Sequence, residues 1–149
     1  MLKLSRLTDY SVVVLSQLAQ DGMEASTAAE LSSATGVPAP TVSKVLKMLA
    51  HSGLVLSQRG ATGGYALARS PVCISVGEVI AAIDGPVWLT ACVEVAVGGC
   101  KVETTCPIHG RWDKVNRAVR RTLDEITLAE LIAPASFVHA PAPAAALQA

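Results

Sequence analysis

Apolar positions in the first half of the chain recur at intervals of three and four. Leu7, Tyr10, Val14 and Leu18 share one helical face, so the spacing predicts an amphipathic helix ending near Asp21-Gly22. Thr27-Ala-Ala-Glu30 has the form of a capping box, and Gly36 suits the end of that short second helix. Pro38 and Pro40 fit the first turn of a third helix, whose apolar face is Val42, Val45, Leu46 and Leu49 and which stops at Gly53. The period then changes. Residues 54–59 read as a strand, 60–64 as a glycine-rich turn and 65–69 as the returning strand. Helical spacing resumes over 75–84, with Ser75 and Glu78 as a second capping box and Val76, Val79, Ile80 and Ile83 inward. Cys73, beside Val72 and Ile74, is expected to be a small buried hydrophobe rather than a ligand. Gly85-Pro86 ends this helix. Trp112, Val115, Val119, Leu123 and Ile126 mark one stripe of a helix of about five turns, predicted to run to about Leu131.

Two helices joined by a tight turn around Gly36-Val37 form a helix-turn-helix pattern. The second leaves Thr41, Ser43, Lys44 and Lys47 off its apolar face, where hydroxyls and ammonium groups can reach base edges and phosphates. A merely solvated helix face would look the same. The hairpin that follows, with Arg59 at its tip, tilts the balance towards DNA, because a tip arginine suits a narrow minor groove. The expected fold is mainly α with a small β-hairpin wing: a winged helix-turn-helix domain plus a long C-terminal dimerisation helix. A lone long helix must bury its stripe, and a second copy of the chain would let it do so with two-fold symmetry. A palindromic DNA operator needs such a homodimer. The organisation expected is a DNA-binding domain over 1–85, a cysteine-rich loop over 86–111, the dimerisation helix over 112–133 and a disordered Ala/Pro tail over 134–149.

Composition narrows the setting. The 149 residues suit one domain, and scarce aromatics with abundant Ala and Val suit compact helices rather than a β-sandwich. The apolar runs are too short to span a membrane. A signal peptide is the alternative reading of the N-terminus, but Gln17, Gln20 and Asp21 interrupt the apolar run. The expected location is cytoplasmic, where cysteines bind metal or sense redox state rather than pair in disulfides. Formal net charge is zero, with residues 1–70 at +2 and 71–149 at −2, an asymmetry too mild to name a partner.

Three of the four cysteines gather in one stretch. Cys92 is followed after seven residues by Cys100, after five more by Cys106 and after two more by His109. Gly98, Gly99, Pro107 and Gly110 make this a poor helix and a poor strand. A bound metal could order it, because ligation supplies folding free energy directly. Structural zinc usually shows two tight pairs, and only Cys106/His109 is close. Thiolates with one imidazole also suit an iron–sulfur cluster. Free thiols or a redox disulfide are the metal-free alternative. A Cys106/His109 catalytic dyad lacks an oxyanion loop and an orienting third group, so the chain is not expected to be an enzyme.

The motifs LTDYSVVVLSQLA, GVPAPTVSKVLKMLAHSGLV, RGATGGYALAR and CPIHGRWDKVNRAVRRTLDEITLAEL together resemble the Rrf-two family of bacterial transcription regulators, over about residues 1–132. The segment PAPTVSKVLK, followed by a cysteine-rich loop ending in CP, looks most like the subgroup that regulates SUF iron–sulfur assembly genes. The resemblance implies a homodimeric regulator of cluster-assembly genes, acting as a repressor and sensing cluster status through its own iron–sulfur cluster. A nitric-oxide or redox sensor of the same family and a zinc-stabilised winged-helix interaction module are the alternatives. The family's ligands carry over to Cys92, Cys100 and Cys106. IscR-like members complete the set with a histidine, here His109, whereas NsrR-like members use a carboxylate from the partner subunit, here Asp9. The favoured expectation is [2Fe–2S] with His109 over [4Fe–4S] with Asp9. The seven-residue first gap is longer than in IscR-like members. Arg59 and Gly60 match the family's wing, whereas Pro40, Thr41, Ser43 and Lys44 stand where IscR-like members include an acidic residue.

Overall fold

A computed structural model describes residues 3–22, 24–60, 63–90, 93, 105–108 and 110–133. Helices α1 (Arg6–Gln20), α2 (Ala28–Thr35) and α3 (Ala39–His51) come first. Strands β1 (Val55–Gln58) and β2 (Gly64–Leu67), a 3-10 turn (Pro71–Cys73), and helices α4 (Val76–Asp84), α5 (Trp112–Glu125) and α6 (Leu128–Ile132) follow. The mainly helical fold with one antiparallel hairpin is the one the sequence pattern predicts.

Local chemistry sets most of these boundaries. Ser5 caps α1 by accepting the Thr8 N–H at 3.2 Å. Thr27 and Glu30 form the expected capping box on α2, and the Thr27 backbone N–H and hydroxyl hold the Glu30 carboxyl below its ordinary pKa. Gly36 closes α2 at φ +73°, a left-handed conformation that a side chain would resist. The Ser75/Glu78 box starts α4 as predicted.

The core lies between α1, α3, α4 and the wing. Val14, Leu15 and Leu18 of α1 meet Val42, Val45, Leu46 and Leu49 of α3, with Leu54, Val55 and Leu67 of the hairpin and Ile74 and Val79 closing one side. All are buried, and each large side chain contributes about 1.5–3 kcal/mol by leaving water. Leu7 and Tyr10, expected on the same stripe, pack only half-buried at its edge. A polar tie joins α1 to α4. The Thr8 hydroxyl donates to Asp84 Oδ2 at 2.7 Å, and the Ser5 N–H donates to the same oxygen at 3.2 Å.

Two expectations need correction. Cys73 is exposed, not buried: the 3-10 turn points Val72 and Cys73 outward and sends Ile74 into the core. The C-terminal helix is also not continuous to Leu131. It stops at Glu125, Ile126 turns extended, and α6 begins under a third capping box, Thr127 with Glu130. Tertiary pairing makes the break. The Val76 N–H donates to Ile126 O at 2.9 Å and the Leu128 N–H to Ile74 O at 2.8 Å, which drops Leu128 into the core. Among the described residues no helix is long and apolar enough to cross a membrane.

Candidate nucleic-acid interface and cysteine segment

Helix α3 packs one face inward and leaves the other to solvent. Its inner face is sealed in the core, and Lys44 and Lys47 project into solvent, with Thr41 and Ser43 half-buried beside them. Pro38 and Pro40 begin the helix without a side-chain cap, and no acidic residue occupies its first turn. Neither Lys44, Lys47 nor Arg59 takes part in an ion pair among the described residues, so all three charges are available to phosphates. Arg69, at the far end of the hairpin, is instead held by Glu78. Burial works to raise the Glu78 pKa, but hydrogen bonds from Ser75 and Arg69 outweigh it and hold the carboxyl below its ordinary value. Exposed His51, on the same outward stripe as Lys44 and Lys47, extends this face. Sequence reading missed it, although its spacing of four from Lys47 was a usable signal.

The turn between α2 and α3 is fixed by side chains. The Ser32 hydroxyl donates to Val37 O at 2.7 Å, and Val37 itself is buried. After α3 the chain doubles back as the wing, in the register Val55↔Leu67 to Gln58↔Gly64. Arg59 and Gly60 follow the last pair and are exposed, Gly60 at φ +120°. Gly63 cannot carry a side chain, since a Cβ there would lie 2.7 Å from Gln58 O and 2.8 Å from Gly60 O. The structure therefore puts Thr41, Ser43, Lys44 and Lys47 on one element and Arg59 and Gly60 on the next.

Cys92, Cys100 and His109 lie outside the described residues, as does the tail over 134–149. Cys106 is a free, half-buried thiol in the approach to α5. Asp9 is exposed in the first turn of α1. Among the described residues no group of three or more His, Cys, Asp or Glu side chains is placed to hold a metal. Two side chains of α5 contact the residues leading into the cysteine segment. Asn116, nearly fully buried at 2 % exposure, accepts the Leu89 N–H through Oδ1 at 3.0 Å. The Arg120 guanidinium lies over Trp88, 5.2 Å from the ring centroid. Neither contact was foreseen, because Asn116 and Arg120 are polar residues flanking the apolar stripe, where a solvated role is the default expectation.

That stripe is only partly covered. Val119 and Leu123 are half-buried, while Trp112, Val115 and Ile126 are 39, 44 and 37 % exposed. Val119 and Leu123 line a cleft of about 380 Å³ with Leu4, Ile80, Val87 and Trp88.

A helix pair with a cationic outward face, followed at once by a glycine-turned hairpin, defines a winged helix-turn-helix protein. Residues 4–134 match the Rrf2 family, described as iron-dependent transcriptional regulators, and the chain belongs to that family. It is 36% identical over 104 residues to the HTH-type transcriptional regulator IscR of Klebsiella pneumoniae (strain 342), a match taking in 70% of this chain and 63% of that relative. IscR of Escherichia coli (strain K12 / DH10B) matches with the same identity and coverage. The chain thus spans a little under two thirds of the length of these relatives. Among solved structures, CymR (YrzC), the global cysteine regulator of B. subtilis, superposes with a TM-score of 0.67 at 28% identity, covering 89% of this chain and 97% of that one. T. potens IscR superposes at 0.64 with 30% identity, covering 88% and 86%. These relatives are transcriptional regulators, not enzymes.

Proposed function

We propose that the chain is a homodimeric DNA-binding repressor of iron–sulfur cluster assembly genes that senses cluster status through a cluster of its own. The observation that carries DNA binding is α3, whose inner face is fully sealed while Lys44 and Lys47 stand exposed outside, in no ion pair among the described residues, next to a wing bearing Arg59. Docking α3 in a major groove would bring these cations to phosphates and Thr41 and Ser43 towards base edges. The dimer is supported by the uncovered stripe of Trp112, Val115 and Ile126, which a second copy of α5 would bury.

The cluster reading rests on donor chemistry. Cys92, Cys100 and Cys106 offer three soft thiolates, and His109 a fourth ligand of the type that suits [2Fe–2S]; the exposed Asp9 carboxylate of a partner would instead complete [4Fe–4S]. When bound, the group supplies a cross-link whose presence depends on iron supply and oxidation. Cys106 lies shortly before α5, so ligation there bears on the helix that would set the separation of the two α3 helices. Half-sites about 34 Å apart make that separation decisive.

The test is anaerobic purification of the full chain, with absorbance, iron and acid-labile sulfide per chain. Operator affinity at fixed salt, on a duplex selected from a random-sequence pool by the wild-type protein, is then compared with that of a Cys92→Ala/Cys106→Ala variant. Iron and sulfide together with a coupling of about 1–3 kcal/mol support the reading. Equal affinities end the sensing role, and a colourless zinc protein replaces the cluster with a structural metal. Lys44→Ala or Arg59→Ala should each weaken binding by about 1–3 kcal/mol. No loss in either would mean that DNA docks on another face.

A further inference from the structure

The wing has only four residues in each strand, and an isolated two-stranded hairpin of that size is marginal in water. Val55 and Leu67 anchor its base in the core, and a third strand-like contact from outside the hairpin holds its edge. Tyr65 is paired on one side with Ser57 of β1. On its other side the Ser26 N–H donates to Tyr65 O at 2.9 Å and the Tyr65 N–H donates to Ser26 O at 2.8 Å. The approach is so close that a Cβ on the neighbouring Gly64 would lie 2.7 Å from Ser26 O. Ser26 belongs to the short linker between α1 and α2, and it is itself clamped. Its hydroxyl donates to Asp21 Oδ2 at 2.7 Å, and Gln17 Nε2 donates to Asp21 Oδ1 at 2.8 Å. One carboxylate thus joins the end of α1 to Ser26, and the Ser26 backbone joins the linker to the wing. The latch closes on the residue opposite Ser57, two positions before Arg59.

We propose that Asp21 and Ser26 are positioning residues for DNA docking: they fix the tilt of the wing against the helix pair and thereby aim Arg59 at the duplex. This rests on the DNA-binding reading above. Asp21 touches no DNA; it acts through Ser26, Tyr65 and the hairpin. The latch also covers the outer edge of β2, which would otherwise offer unpaired backbone groups to another chain.

The experiment is a double-mutant cycle on the full-length protein, prepared anaerobically, with a duplex selected by the wild type from a random-sequence pool. Asp21→Ala and Ser26→Ala should each weaken binding roughly fivefold, the net worth of one hydrogen bond. Gly64→Ala, which forces Ser26 away, should cost at least as much. In an Arg59→Ala background all three should cost nothing further, because the side chain they aim is gone. Exchange of the Tyr65 amide with deuterated water should rise in Asp21→Ala without DNA present, which reports the latch directly. A latch that serves stability alone would lower the melting temperature yet give losses that add to those of Arg59→Ala, and that additivity would overturn the proposal. Unchanged binding in Asp21→Ala and Ser26→Ala, with Arg59→Ala still impaired, would overturn it as well. A wild type that selects no duplex at all refutes the DNA-binding reading instead.

Discussion

Replacing Asn116 with Ala should loosen the path into the cysteine segment by a predictable amount. Asn116 is the one buried side chain of α5, and its Oδ1 accepts the Leu89 N–H at 3.0 Å. Four residues on, Arg120 rests against Trp88, so two side chains one turn apart on α5 hold two consecutive residues, Trp88 and Leu89. Alanine removes the acceptor and leaves the Leu89 N–H without its partner, at a cost of about 1–3 kcal/mol. The better helix propensity of alanine returns up to about 0.7 kcal/mol. A net loss of about 1–2 kcal/mol lowers the melting temperature of a domain of this size by about 3–8 °C. Scanning calorimetry on the metal-free protein measures that shift. Hydrogen exchange at the Leu89 amide localises it, and should speed up roughly tenfold if the local opening cost falls by about 1.4 kcal/mol. Arg120→Ala should cost less, about 0.5–1 kcal/mol, the worth of an exposed cation–π contact. If Leu89 exchanges no faster and the melting temperature holds in Asn116→Ala, then α5 does not hold the start of the segment, and the reasoning fails.

Two further outcomes follow from the contacts around α4. Burial works to raise the Asp84 pKa, but hydrogen bonds from Ser5 and Thr8 prevail and hold it below the ordinary value. A carboxyl lowered on folding stabilises the protein above its unfolded pKa, and that contribution is lost as pH falls below about 4 through the folded value. Thr8→Val, which keeps the shape of a buried side chain and removes its hydroxyl, should therefore flatten the acid limb of a stability-against-pH curve measured by urea denaturation; an unchanged slope would show the bond carries no linkage. In Gly77→Ala, the new Cβ would sit 2.0 Å from Asp124 Oδ1, so α4 and α5 must part or Asp124 must swing away. A loss of about 1 kcal/mol by urea denaturation, erased when Asp124→Ala is added, is expected, and a loss that persists in the double variant would place the clash in the backbone instead.

The start and end of most helices were legible because capping is local. Ser75 with Glu78 and Thr27 with Glu30 satisfy orphan backbone groups within four residues, whatever the rest of the chain does. The helix-turn-helix and the wing were legible for the same reason, through Gly36, Gly60 and the change of apolar period after Gly53. The break at Ile126 has a local signal, Thr127-Leu-Ala-Glu130, which sequence reading did not use because the stripe from Trp112 to Ile126 runs straight up to it. The fold settled the matter by pairing Ile126 and Leu128 with the chain around Ile74. Of the predicted ligands, Cys106 and Asp9 are placed, and Cys92, Cys100 and His109 lie outside the described residues.

By itself, then, the sequence determined most of the segments that become helix or strand and which face of α3 turns outward, since propensity, caps and periodicity act within a few residues. Only the tertiary structure decided that Cys73 meets solvent, that Asn116 turns inward to hold Leu89, and that Ser26 crosses from another part of the chain to pin the wing. Each of those outcomes depends on which distant backbone group arrives beside a side chain, and no spacing along the chain encodes that arrival.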